Sequence, residues 1–191
     1  MLEKVKNQLG LAKVYRLMTY QLSSSSEFQE AIRMGAKGLE VLGYSIPPID
    51  DQEKVMEAFY EQHKLFMKNS VDVDFFNLKE VDDEYISLAF ELFDSLMDGS
   101  ILSNIAAFKF FNTSSLNLVL KHGNSCFAAT QYAGMAVVLV QEFQQYKQAF
   151  ELAQIGVRLV REKYGENKVM CKILAWNTWN VDYWGMHAKE T

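Results

Sequence analysis

Apolar residues in this chain recur three and four positions apart and seldom two apart, which is the spacing of amphipathic helices rather than of half-buried strands. The pattern predicts a first helix from about Glu3 to Leu22, with Val5, Leu9, Ala12, Leu17 and Leu22 as its apolar stripe and Tyr15 and Met18 beside it. Ser23–Ser26 reads as a turn, with Ser26 as N-cap of a second helix through EFQEAIRMGAKGLEVL. That helix stops at Gly43, a C′ glycine with Pro47 and Pro48 after it. The run DDQEKVMEAFYEQHKLFMK opens acidic and closes on lysine, as a helix dipole favours. Residues 69–80 lack helical spacing and read as a loop or irregular turn. Asp82–Met97 reads as a helix ended by Gly99, and Ser100 starts another that Gly123 ends. Ser125 caps CFAATQYAGMAVVLVQEF, residues 145–164 form a helix ended by Gly165, and a last helix starts near Glu166. Seven or eight helices and no strand alternation predict an all-α chain. Prolines fall only at 47 and 48, so no predicted helix interior is broken by one.

One pattern occurs twice. Phe28, Ala31, Gly35, Gly38, Leu39 and Leu42 match Tyr146, Ala149, Ala153, Gly156, Val157 and Val160 at a constant offset. Small residues spaced four and three apart line one helix stripe and admit a neighbouring helix closely, while the larger ones fill the adjacent groove. Each copy follows an apolar helix and a short turn, so the unit is an antiparallel hairpin, expected near 3–43 and 125–164. The small positions Ala31, Gly35, Gly38, Ala149, Ala153 and Gly156 are therefore the predicted repeat-packing residues. The pattern resembles the second helix of a tetratricopeptide repeat, with Thr19 and Val137 where the first helix usually carries glycine. This implies degenerate hairpins stacked as an α-α superhelix.

Composition narrows the classes. The chain has 191 residues, 49% hydrophobic, with a formal charge of −5. That supplies a real core and argues against disorder. The mild acidity argues against a nucleic-acid binder, which needs a basic face. No apolar run reaches the ~18–20 residues of a membrane helix, and MLEKVKNQLGLAKV has no apolar signal region. Cys126 and Cys171 make no disulfide framework and read as buried or half-buried thiols, which suits a reducing cytoplasm.

A wider order of segments carries a second resemblance: AIRMGAKGLEVLGYSIPP, DDEYISLAFELFDSL, LNLVLKHGNS, QYKQAFELAQIGVRLVREKYG, then WNTWNVDYW and His187. It is similar to the helical region of large bacterial signal-transduction ATPases. In those proteins a kinase-like domain and an NTPase module are fused to a tetratricopeptide-like array, often followed by GAF and histidine-kinase modules. The likeness spans about residues 20–187 and is weakest over 52–80. It implies a single tetratricopeptide-like domain over 1–191, a fragment of a larger protein, acting as a non-catalytic interaction and signal-relay module. Its partners would be protein segments or adjacent domains of the same parent, with weak self-association through terminal helices, and no nucleic acid or membrane.

Candidate chemistry is sparse. No Walker A loop occurs, and Gly35-Ala36-Lys37-Gly38 lies inside a predicted helix. His63, His122 and His187 are dispersed and hold no carboxylate in metal-ligating register. Asp72-x-Asp74 lacks the glycine and third ligand of a calcium loop, and Asp82-Asp83-Glu84 reads as a solvated helix N-terminus. Neither cofactor nor metal is therefore expected. The unusual feature is an aromatic stripe, Trp176, Trp179, Tyr183 and His187 at helical spacing with Trp184 beside it. It would line a partner or ligand groove, or else pack on Ile155, Leu159 and Tyr164. A small-ligand-sensing helical domain is the alternative reading.

Overall fold

The computed structural model describes residues 8–165 and 168–177. Among the described residues eight α-helices follow in order: α1 Gln8–Ser24, α2 Phe28–Val41, α3 Gln52–Asn69, α4 Glu84–Ser103, α5 Ile105–His122, α6 Ala128–Phe143, α7 Tyr146–Leu159 and α8 Lys168–Asn177. A 3₁₀ turn occupies Phe75–Asn77, and a π-helical turn extends α7 over Val160–Tyr164. The chain is all-α. Among the described residues the nearest thing to a sheet is one isolated parallel bridge, Glu80 with Asn124. No described helix is long and apolar enough to cross a membrane.

The chain divides into two compact units that alternate along the sequence. The first comprises Met1–Leu65 and Val81–Ser114, the second Phe66–Glu80 and Ser115–Thr191. The divisions fall inside α3, between Glu80 and Val81 ahead of α4, and inside α5.

In the first unit α1 and α2 form a hairpin, and α4 packs on both. The buried stripe of α1 runs through Ala12 and Thr19, not through Leu17, which is 57% exposed. Helical geometry explains the correction. Thr19 lies seven residues from Ala12, about 20° away around the helix, whereas Leu17 lies five away, about 140° round. Thr19 tolerates burial because its hydroxyl donates to the Tyr15 carbonyl at 2.9 Å. The pairs Arg16–Glu91 (3.1 Å) and Lys13–Glu84 (2.6 Å) also join α1 to α4, but exposed pairs contribute only about 0–1 kcal/mol. Apolar burial around Ile32, Leu39, Leu92 and Leu96 does most of the work of holding them together.

Three predicted boundaries differ. Ser26 does not cap α2; it sits in the left-handed region at φ 61°, and α2 starts at Phe28 after Glu27, which makes no side-chain cap bond. Gly99 does not end α4, and Ser100 does not start a helix. Ser100 is buried within α4, its hydroxyl donating to Leu96 O at 2.6 Å. The break comes at Asn104, whose Oδ1 accepts from the Ala107 amide (3.1 Å) while its Nδ2 donates to Ile49 O (3.3 Å). A glycine inside a helix costs only about 1 kcal/mol, whereas an asparagine cap actively supplies the hydrogen bonds a new helix start lacks. Gly43 does end its helix, at φ 90°. Tyr44 N donates to Leu39 O (3.0 Å) and Gly43 N to Glu40 O (2.9 Å), closing the last turn.

In the second unit α6 packs with α7 and with α8. Every residue from Ala128 to Leu139 is buried, as suits a helix built largely from Ala, Gly and Val. Its polar members are internally paired: Gln131 Nε2 donates to Thr130 Oγ1 (3.2 Å), which donates to Phe127 O (2.8 Å).

The repeat is visible in backbone geometry. Both α2 and α7 have 14 residues. Each follows a left-handed residue, Ser26 or Gln144, and a cap with nearly the same dihedrals: φ −87°, ψ 56° at Glu27 and φ −91°, ψ 64° at Gln145. Ala31, Ala149 and Ala153 are buried as expected. The glycines sit at close approaches. A Cβ on Gly35 would fall 2.5 Å from Leu96 Cδ2, one on Gly38 3.0 Å from both Leu92 Cδ2 and Tyr15 Cβ, and one on Gly156 2.7 Å from the Ala129 carbonyl oxygen.

These obstacles differ in kind, and the stability of alanine variants should differ accordingly. Leu96 is a side chain that can shift, but it is fully buried and its Cγ would also lie 2.8 Å away, so Gly35→Ala should cost about 1 kcal/mol after alanine's helix propensity is counted. The Ala129 backbone cannot shift, so Gly156→Ala should cost about 1–3 kcal/mol, as should Ala153→Leu by overpacking. Urea unfolding of the three variants checks this; a Gly35→Ala loss larger than that of Gly156→Ala would contradict it.

Candidate functional site

Of residues 69–80, read from the sequence as a loop or irregular turn, Asn69 ends α3 and 70–80 form a strap in the second unit. Asp74 starts its 3₁₀ turn by accepting from Asn77 N (3.3 Å) and Asn77 Nδ2 (2.7 Å), bonds that hold the Asp74 carboxyl below its ordinary pKa. Asp72, two residues earlier, sits in the left-handed region at φ 57°. The Phe75 ring stacks on Phe66 at 6.2 Å and meets the Tyr132 ring edge-on at 5.7 Å. The Phe76 ring faces two cations, the Arg158 guanidinium at 4.1 Å and Lys163 Nζ at 4.6 Å, and Lys163 Nζ also donates to Phe76 O at 2.6 Å.

Asn124 receives this strap. Its backbone amide donates to Lys79 O (2.8 Å), its Nδ2 donates to Phe75 O (2.7 Å), and its Oδ1 accepts from the Tyr132 hydroxyl (2.6 Å). All of this takes place at full burial of Asn124 and Tyr132. Gly123 makes the approach feasible: its φ is 109°, and a Cβ there would overlap the Lys79 carbonyl oxygen. The segment Lys121-His122-Gly123-Asn124-Ser125 therefore does more than separate two helices. α6 starts at Ala128, two residues later than the sequence predicts, with Phe127 in the cap position; Ser125 Oγ still accepts from Ala128 N at 3.0 Å, and Asn124 is the strap's anchor.

Beside the strap lies a groove of about 350 Å³. Its apolar wall comes from Phe66 and Met67 at the end of α3, Leu139 of α6, and Leu152 and Ile155 of α7. The strap adds Ser70, Val73 and Phe75, and α7 supplies a polar rim, Gln148 and Glu151. A second hollow, about 380 Å³, lies in the first unit between α2 and residues 46–50. It contains charged Lys37 and Glu40 and is spanned by Arg33, whose guanidinium forks onto Asp50 (2.9 and 3.3 Å) and reaches Glu30 (3.1 Å). The first groove combines an apolar floor with a polar rim of Ser70, Gln148 and Glu151, and is the one bordered by the strap.

The residues singled out from the sequence fare unevenly. Trp176 is buried on α8, with Lys172 Nζ 5.2 Å from its ring centroid. Trp179, Tyr183, Trp184 and His187 lie outside the described residues. His63 sits on α3 against the Phe59 ring at 5.9 Å. Asp83 caps α4, accepting from the Tyr85 and Ile86 amides. Cys126 is half-buried, but Cys171 is exposed, against expectation, because the buried positions of α8 are Met170, Ile173, Trp176 and Asn177. Asn112 of the sequon Asn-Thr-Ser is buried in α5. Among the described residues no three His, Cys, Asp or Glu side chains converge as metal ligands. The strap and its anchor were not legible as a site; their one signal was Asn124 directly after a glycine at a helix end.

No family model, curated protein or solved structure matches the chain.

Burial raises the Tyr132 hydroxyl's pKa, and it raises that of Tyr164 to about 12, with Glu80 and Cys126 adding to the shift. Tyrosines unfold to an ordinary pKa of about 10. The folded state therefore keeps protons that the unfolded state loses, and stability should be complete below pH ~10 and decline as pH rises toward 12. Tyr132→Phe strands the Asn124 oxygen, so it should cost about 1–3 kcal/mol at neutral pH and flatten the alkaline decline. Urea midpoints for wild type and variant from pH 7 to 11 test both, and parallel curves would refute the assignment.

Proposed function

We propose that this chain is a non-catalytic helical-repeat interaction and signal-relay module, of the kind found in multidomain signal-transduction ATPases and kinases and working in the cytoplasm. The observation that supports it is the hairpin made twice with one turn geometry, at α1–α2 and at α6–α7, each copy carrying a further helix on its side. Helical hairpins of this kind bury one face against a neighbour and leave another for a partner. The partner is a protein segment or an adjacent domain of the same parent, and the α6–α7 hairpin offers the apolar groove for it. Binding would bias the arrangement of neighbouring domains by favouring the form that holds the segment.

The groove also supports a second reading, a sensor for a small effector, because about 350 Å³ is at the lower end of small-molecule sites, which run from about 300 to 1,000 Å³. A photo-crosslinking residue at Gln148 separates the two. The interaction reading requires a discrete protein adduct that Ile155→Arg abolishes and Leu17→Arg, on the exposed face of α1, leaves intact. Loss in both variants, or no protein adduct and a small-molecule adduct in native mass spectrometry, favours the sensor. Nucleotide titration should show no ATP binding; micromolar affinity would displace both readings.

A further inference from the structure

Arg158 and Lys163 are five residues apart, and in an unbroken α-helix such residues diverge by about 140°. Here both cations lie over one ring, Phe76, at 4.1 and 4.6 Å. The wider π turn at Val160–Tyr164 reduces this divergence, and the long Arg158 and Lys163 side chains span the rest. Such turns are rare and frequent at functional sites. The turn also directs Lys163 Nζ to Phe76 O, and Arg158 is steadied by Glu162 at 3.1 Å. The strap is therefore held at two places of different character. Phe76 carries the exposed cation contacts, whereas the buried Asn124 bonds the carbonyl of the adjacent Phe75 and that of Lys79. Three residues of the groove wall, Ser70, Val73 and Phe75, belong to the strap, so its release takes down one wall. Phe75 itself fills the slot between Phe66 and Tyr132.

We propose that residues 70–80 are a releasable strap, latched by the π turn of α7, whose opening withdraws Phe75 from between Phe66 and Tyr132 and enlarges the groove. Val71 and Asp72 at the strap's start are exposed, and opening must also break the two Asn124 bonds to Phe75 O and Lys79 O, so it is a local unfolding step. The latch is the part that a partner's carboxylate, or any change in the charge of Lys163, would compete with.

Native-state hydrogen exchange of the full chain tests it, because the Asn124 amide donates to the strap at Lys79 O. In Lys163→Met the Asn124 and Asn77 amides should exchange at least tenfold faster. The Ala149 amide, bonded to Gln145 O within the hairpin, and the Tyr44 amide, bonded to Leu39 O in the first unit, should keep their rates. Lys163→Arg, which keeps a cation over the ring, should stay within about threefold of wild type. Equal acceleration at Asn124 and Ala149 would make the strap an inseparable part of the fold, and unchanged exchange at Asn124 would mean the π turn holds nothing. A Lys163→Arg rate equal to that of Lys163→Met would remove the cation from the argument. Each of these three results overturns the proposal.

Discussion

The space of a single methyl group governs how these hairpins close. At Gly156 the neighbouring atom is the Ala129 carbonyl oxygen, 2.7 Å from where a Cβ would stand, so α6 and α7 meet at backbone distance. That proximity is what lets α6 be buried along twelve consecutive residues, because large side chains at the crossing would force it outward. Once α6 is enclosed, Tyr132 points its hydroxyl into the interior, and a buried hydroxyl needs a partner. Asn124 provides it, and the remaining groups of Asn124 turn outward to the strap. The groove wall thus traces back, through two hydrogen bonds, to a glycine on a different helix. In the first unit the same spacing serves another neighbour, since Gly35 and Gly38 accommodate leucines of α4.

Charge is unevenly placed as well. Fifteen acidic and nine basic residues belong to the first unit, nine and ten to the second. The negative charge of the chain is thus a property of the first unit, while the Phe76 latch draws on cations of the second. The Arg33 fork on Asp50 does for residues 43–51 what Lys163 does for the strap, fastening a connecting segment back onto a repeat helix, but through a carboxylate instead of a ring and a carbonyl. Exposed as it is, that fork contributes position more than stability.

Periodicity made the helices legible, and the offset between Phe28 and Tyr146 made the hairpin repeat legible, down to the small residues at its crossings. The failures were of two physical kinds. Gly99 and Ser26 were assigned by residue type, but a glycine ends a helix only where the chain needs a left-handed turn, and a serine caps only where its hydroxyl reaches an amide. Leu17 was assigned by hydrophobicity although its angle on the helix already excluded it. The strap was illegible for another reason. Its anchors are Asn124, Tyr132, Arg158 and Lys163, 44 to 93 residues away in sequence from its members, and no local pattern announces a pairing at that range. The π turn carries no sequence signature that periodicity would detect.

The alternation of the two units along the chain has a topological consequence. The path enters the second unit at Phe66, leaves it after Glu80 and returns at Ser115. No single cleavage separates the units into two pieces, and no contiguous fragment contains one unit whole without part of the other. A piece ending at Ser114 would carry the strap but not Asn124, leaving Phe75 and Phe76 without the side chains that receive them. A piece beginning at Ser115 would carry Asn124, Tyr132, Arg158 and Lys163 but neither the strap nor Phe66, the other side of the slot. The short strap thus makes the chain indivisible in a way that a linear array of repeats, which tolerates trimming from either end, is not.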